Sequence, residues 1–170
     1  GMVGIARELA AMLGLKLKYP VTPKDVLPMT GDSVIPITVE NDQLCPRYLG
    51  QVVRGLKVAP SPHWLKSRLL AAGKRPINNI VDITNFILLE WGQPLHAFDL
   101  STLRGPEIRV RNMQPGEQLE LLDETVIKGE SRPLVIADAE RPVALAGIMG
   151  GRDTQTTLET TDVQIGRAKV

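Results

Sequence analysis

The sequence has very little cysteine and histidine, the residues that form the disulfides of small secreted domains and that bind metals. Cys45 is the only cysteine among 170 residues, so the chain can form neither an internal disulfide nor a zinc site built from several cysteines. So little cysteine is typical of a reducing compartment, and we expect a cytoplasmic location. Histidine is nearly as scarce, with only His63 and His96. No pattern of ligands predicts a metal or a cofactor.

Two further absences narrow the class of protein. No apolar run approaches the roughly 18 residues of a membrane-spanning helix, so we expect no membrane association. Twenty Lys and Arg against nineteen Asp and Glu leave a formal net charge of +1, whereas a domain that binds nucleic acid by itself usually has a strong basic excess. We therefore expect no DNA binding, and any RNA partner must be held largely by other parts of an assembly.

The residues that are present are those of an ordinary globular domain. Apolar residues make up 43% of the chain and charged residues 23%, close to the averages for soluble domains. Apolar residues at helical spacing predict a short amphipathic helix over 3–15. Prolines and turn formers predict an extended linker over 18–33, and β-branched residues predict strands within 34–40 and 47–58.

Two more helices are predicted with their ends specified by local residues. The first covers 61–73, with Ser61 as its N-cap. The second covers 80–91, with Asn79 as its N-cap and Gly92 at its end. Beyond residue 105, short apolar runs separated by turns predict β-hairpins or a meander. The whole pattern indicates an α+β fold in packed layers.

The second of these helices brings polar residues to an apolar surface. Thr84 and Asn85 lie at the margin of its apolar face. The helix rises about 9 Å from Asn85 to its end, and the four residues from Gly92 to His96 can reach back roughly 13 Å, so His96 can lie beside Asn85. An amide, a hydroxyl and an imidazole could orient a water or a ligand oxygen. They could equally be a satisfied polar group in the core.

A small-residue segment, "ALAGIMGG" (144–151), is the second feature of interest. Its glycines allow a ligand or another backbone to approach closely, although a tight turn without a ligand explains them equally well. The spacing matches neither a P-loop nor a dinucleotide fingerprint. The sequence contains no recognisable pairing of a nucleophile with a base.

Four segments in this order resemble a known family. "CPRYLG" (45–50), the stretch from "SPHWLKS" to "LHAFDL" (61–100), "LVIAD" (134–138) and "ALAGIMGG" (144–151) are similar to the central editing domain of the bacterial phenylalanyl-tRNA synthetase beta subunit. The resemblance implies a three-layer β/β/α fold with mostly antiparallel or mixed sheets. It also implies an N-terminal helix and linker over 1–33, followed by an editing-domain-like module over 34–170 whose second subdomain is incomplete.

The resemblance further implies a function. In this family the pocket hydrolyses tyrosine wrongly attached to phenylalanine tRNA, using a positioned water and no metal or cofactor. The implied partners are the acylated 3′ end of the tRNA and the synthetase alpha subunit. Carried over by motif, the catalytic group consists of Thr84, Asn85 and His96, and the substrate-binding wall includes Ala146 and Gly147.

One position departs from the family pattern. Gly166 stands where the family has a glutamate that recognises the tyrosine hydroxyl. Without this carboxylate, recognition of the phenol loses a polar partner. Two readings therefore remain: hydrolytic proofreading, or a non-catalytic copy that serves as a structural or tRNA-end-binding module. Whether the chain by itself is an enzyme stays open at this point.

Overall fold

The structure is a computed structural model that describes residues 1–19, 35–105 and 107–169. Three helices and ten strands follow one another in these ranges: α1 (Met2–Met12), β1 (Ile37–Val39), β2 (Arg47–Val53), α2 (His63–Ala71), α3 (Asn79–Trp91), β3 (His96–Asp99), β4 (Ile108–Asn112), β5 (Gln118–Glu120), β6 (Val126–Lys128), β7 (Leu134–Ala137), β8 (Pro142–Leu145), β9 (Met149–Gly150) and β10 (Val163–Lys169). Within the described ranges, none of the helices has the length and apolarity to cross a bilayer.

The strands form two main sheets. The larger has the order β1-β4-β7-β8-β9, with β1 parallel to β4 and every other pair antiparallel. The smaller has the order β2-β10-β3 and is antiparallel throughout. The β5–β6 hairpin is a separate two-stranded sheet. The predicted α+β class with mixed sheets is therefore confirmed.

The main core lies between the two sheets. Tyr48 and Phe98 of the smaller sheet pack with Val110 and Ile136 of the larger one, and Phe98 and Val110 are fully buried. A second cluster, including Val135, packs the β5–β6 hairpin on the opposite face of the larger sheet. Because α3 packs against β3 and α2 against α3, the layers run sheet, sheet, helices, as the resemblance implied.

Helix α2 differs from the prediction at its N-terminus. It begins at His63 with Pro62 as the N-cap residue, which makes no side-chain cap. Ser61 is not the cap, because its hydroxyl donates to the buried carboxylate of Asp82, 2.5 Å away. Asp82 also accepts a hydrogen bond from the Ile77 amide. The serine therefore links α2 to α3 instead of capping its own helix.

Helix α3 begins one residue earlier than predicted and ends at Trp91 as predicted. Asn78, not Asn79, is the N-cap, and its side chain accepts hydrogen bonds from the amides of Ile80 and Val81. The Asn79 side chain instead accepts from the Ala59 amide and donates to the Lys57 carbonyl, both in the segment before α2. Gly92 ends the helix at φ 70°, a conformation that suits glycine.

Two expectations concern the N-terminal region. The predicted helix is present as α1, but its apolar residues Ile5, Leu9 and Met12 are exposed and only Val3 is buried. Most of the predicted linker over 18–33 lies within residues 20–34, outside the described residues. The division into 1–33 and 34–170, with an incomplete second subdomain, therefore stays a prediction.

Candidate active site

A cavity of about 440 Å³ opens where α3, the smaller sheet and the β8–β9 turn meet. Its volume falls within the range of typical small-molecule pockets. The described residues that line it are uncharged: Thr84, Asn85, Leu88, Pro94, Leu95, His96, Ile136, Ala144, Leu145, Gly147, Ile148, Met149, Gly150, Gly166 and Ala168. The polar side chains among them belong to Thr84, Asn85 and His96.

The structure brings together most of the residues that the sequence singled out. Thr84, Asn85, His96, Gly147 and Gly166 all line the cavity. Ala146 is not among the lining residues, because it packs against the main core instead. Its neighbour Gly147 lines the cavity, and the substrate-binding role of Ala146 stays a prediction. The catalytic and binding roles of the other five residues stay predictions.

Helix α3 supplies the hydroxyl and the amide. Thr84 and Leu88 are one turn apart, so they line the same side of the cavity. The Thr84 hydroxyl donates to the Val81 carbonyl, 2.7 Å away, which leaves its oxygen lone pairs as acceptors. The half-buried Asn85 side chain makes no hydrogen bond within the described part of the chain. Its amide is therefore available to a ligand.

His96 begins β3 and stands directly opposite Gly166 on β10. Its ring packs edge-on against Phe98, with 4.5 Å between the ring centroids. On the facing sheet Gly150 gives the imidazole room, because a Cβ atom there would overlap both Cε1 and Nε2 of His96. The smaller sheet and the glycine of β9 thus fix the position of the imidazole.

Burial determines the protonation state of His96. Desolvation lowers the pKa of its imidazole to about 4, because a cation is disfavoured away from water. The Nε2 atom is buried and has no hydrogen-bond partner among the described residues. The cavity therefore presents a neutral imidazole at neutral pH.

Sequence reasoning missed Tyr48, which lies behind Gly166. Tyr48 stands on β2 opposite Ala168, so it shares a sheet face with Gly166. Burial raises the pKa of the Tyr48 phenol, and the nearby Cys45 raises it further. Alternation along the predicted strand over 47–58 places Tyr48 and Gly50 on one face, and this was the signal available in the sequence.

The described side chains that line the cavity are neutral, and this limits the reactions that the site can assist. The described lining offers no carboxylate, amine, thiol or serine hydroxyl, so it offers no obvious covalent nucleophile. No cluster of three or more His, Cys, Asp or Glu side chains suited to a metal occurs in the described ranges. The site can orient a water and a polar ligand through an imidazole, an amide and a hydroxyl.

Comparisons with known proteins agree with the resemblance. Residues 44–169 match the model of the B3/4 domain family. The phenylalanine–tRNA ligase beta subunit of Carboxydothermus hydrogenoformans is 52% identical over 98% of the chain and 21% of its own length. The same subunit of Synechocystis sp. is 49% identical, again over 98% of the chain and 21% of its own length.

A solved structure shares the fold. The crystal structure of an N-terminal fragment of the phenylalanyl-tRNA synthetase beta subunit from Pyrococcus horikoshii aligns over 98% of the chain and 50% of its own, with a TM-score of 0.62 and 16% identity. At this identity the likeness concerns the fold alone. The chain spans about a fifth of the length of the relatives it matches in sequence.

Proposed function

Because the chain belongs to the B3/4 domain family, we propose that its cavity hydrolyses the ester that links tyrosine to the 3′ end of phenylalanine tRNA. In this role the chain is the editing module of a phenylalanine–tRNA ligase beta subunit. The observation that carries the proposal is the cavity itself, where a neutral, unpartnered imidazole and a free amide face an uncharged space of ligand size.

The proposed substrate follows from a limit on molecular recognition. A pocket that binds phenylalanine through apolar contacts cannot strongly reject tyrosine, which adds only a hydroxyl. A second site that accepts the hydroxylated product and hydrolyses it restores accuracy. An apolar cavity with a few convergent polar groups suits an aromatic side chain joined to a polar ester.

Water is the proposed nucleophile, since the described lining offers no serine, cysteine, lysine or carboxylate and the Thr84 hydroxyl donates to the Val81 carbonyl. Its oxygen bonds the ester carbonyl carbon, the bond from that carbon to the ribose oxygen breaks, and the ribose oxygen takes a proton. Neutral His96 can orient the water through a ring nitrogen, and the Asn85 amide can donate to the oxygen on which negative charge develops. With a pKa of about 4, His96 is a weak base. We therefore propose that it orients the water and does not by itself remove the water's proton.

The proposed partners follow from the same reasoning. The cavity would receive the acylated 3′ end of the tRNA, and the synthetase alpha subunit would carry out aminoacylation elsewhere in a cytoplasmic enzyme. A net charge of +1 gives little general attraction to phosphates. Other modules of the longer subunit are therefore expected to hold most of the tRNA.

Deacylation of tyrosyl-tRNA for phenylalanine tests the proposal. The chain is incubated with this substrate, and tyrosine release is compared among the unmodified chain, His96→Ala and Asn85→Ala. His63→Ala is the matched control, because His63 is exposed on α2. We expect release well above the spontaneous rate, a loss of about tenfold or more in each cavity variant, and no loss in the control. Release at the spontaneous rate from the unmodified chain would refute hydrolysis by this chain.

A non-catalytic role is the second candidate. The observation that favours it is the absence of any charged side chain from the described lining, including position 166. In that case the chain would bind the acylated tRNA end without accelerating its hydrolysis. Binding of the tyrosyl-tRNA in the same experiment, without tyrosine release, would identify this role.

A further inference from the structure

A buried tyrosine hydroxyl lies directly behind the cavity wall at Gly166. A Cβ atom built at position 166 would lie 2.6 Å from Cζ of Tyr48 and would overlap its hydroxyl oxygen. The hydroxyl therefore occupies the space into which any side chain at 166 would extend. Gly166 lines the cavity and Tyr48 itself does not, so the hydroxyl lies beside a lining residue.

The Tyr48 hydroxyl is unsatisfied. It is buried and makes no hydrogen bond within the described residues, although buried hydroxyls normally have partners. On the same sheet face the Gln164 side-chain carbonyl and His96 Nε2 are also buried without partners. Three unpaired polar atoms on a single sheet face indicate a place where a ligand supplies hydrogen bonds.

We propose that the Tyr48 hydroxyl recognises the ring hydroxyl of the tyrosyl group at the Gly166 end of the cavity. This proposal rests on the proposed function and adds a specificity-determining residue to it. A hydroxyl both donates and accepts, so Tyr48 can pair with a phenol without a charged group. A phenylalanyl group leaves the Tyr48 hydroxyl unpaired, and a site built to hydrogen-bond a hydroxyl discriminates against ligands that lack it.

Glycine at position 166 is a requirement of this arrangement. A side chain there and the Tyr48 hydroxyl exclude each other, so the chain can use one or the other at this end of the cavity. Gly50 supports the arrangement from β2, where it pairs with Gly166 and leaves room for the Gln164 side chain. The paired glycines thus make space for both polar side chains between the sheets.

Binding of non-hydrolysable analogues tests this role separately from catalysis. The probes are 3′-amino-3′-deoxyadenosine carrying tyrosine or phenylalanine through an amide, and the affinity of the full chain is measured by calorimetry. We expect the unmodified chain to prefer the tyrosyl probe by about tenfold, the value of one hydrogen bond. Tyr48→Phe should abolish this preference by weakening only the tyrosyl probe. Tyr19→Phe is the matched control, because Tyr19 is exposed and stacks on Trp91.

A thermal melt verifies that Tyr48→Phe is folded. We expect it to melt no lower than the unmodified chain, because the removed hydroxyl has no hydrogen-bond partner among the described residues. Gly166→Ala, which displaces the hydroxyl, should lose the preference as well. Any of three results would overturn the role of Tyr48. The unmodified chain could bind both probes equally, it could fail to bind the tyrosyl probe measurably, or Tyr48→Phe could keep the preference unchanged. A preserved preference without ester hydrolysis would instead refute the proposed function alone.

Discussion

The depressed pKa of His96 makes the stability of the chain depend on pH. In the folded chain the imidazole stays neutral down to about pH 4, whereas in the unfolded chain it takes up a proton near pH 6.5. Between these values the unfolded state binds more protons, so stability falls as pH falls. This difference between the folded and unfolded pKa of His96 corresponds to about 3 kcal/mol of stability, nearly all of it lost by pH 4.

The perturbation that tests this reasoning is His96→Gln, which keeps a polar side chain of similar reach but does not titrate. The free energy of unfolding is measured by urea denaturation at pH 7.0 and at pH 4.5. The decrease between these two values should be about 2 to 3 kcal/mol smaller in His96→Gln than in the unmodified chain. Other groups contribute equally to both proteins and cancel in the difference.

His63→Gln is the control, because the chain has only these two histidines and His63 is exposed on α2. Its decrease in stability should match that of the unmodified chain. With two histidines, NMR can also follow the ring protons of each one separately. A His96 signal that titrates near pH 6.5, or equal decreases in His96→Gln and the unmodified chain, would refute the assignment of a buried neutral imidazole.

Three other substitutions, one of them with a control in α1, test helix α3 and the glycine beside His96. Gly150→Ala should cost about 1–3 kcal/mol and displace the His96 ring. Gly4→Ala, in the first turn of α1 where a Cβ meets no other atom, should be neutral or stabilising. Thermal melts and the His96 NMR shift report both effects. Asp82→Ala should lower the free energy of unfolding by about 2–3 kcal/mol because two donors lose their buried acceptor, and a loss below 1 kcal/mol in urea denaturation contradicts this. Asn78→Ala should cost about 1 kcal/mol as a lost N-cap, measured in the same way.

Much of the fold could be predicted because its signals are local. Helix α3 follows from apolar periodicity and Gly92, and strands β4 to β8 follow from short apolar runs between turns. The errors at Ser61 and Asn79 arose because each side chain bonds a partner distant in sequence. Local capping patterns carry no information about such partners.

The less predictable parts depend on contacts between distant segments. Strand β10 is central to the smaller sheet, yet its sequence "VQIGRAK" alternates weakly and follows a threonine-rich stretch that reads as a loop. The site residues on α3 and β3 could be grouped from helix geometry and chain reach. Strand alternation indicates which face Tyr48 is on, but only the register of β10 against β2 places it behind Gly166.

The placement of β10 has a consequence for the order in which the chain folds. Within the described ranges, β2 and β3 do not pair with each other, and each pairs with β10 alone. Strand β10 lies more than a hundred residues after β2. Closing so long a loop is entropically costly, and folding slows as contacts become less local. We therefore expect the cavity to form late on the folding pathway, with β10 docking as the step that assembles His96, Gly166 and Tyr48.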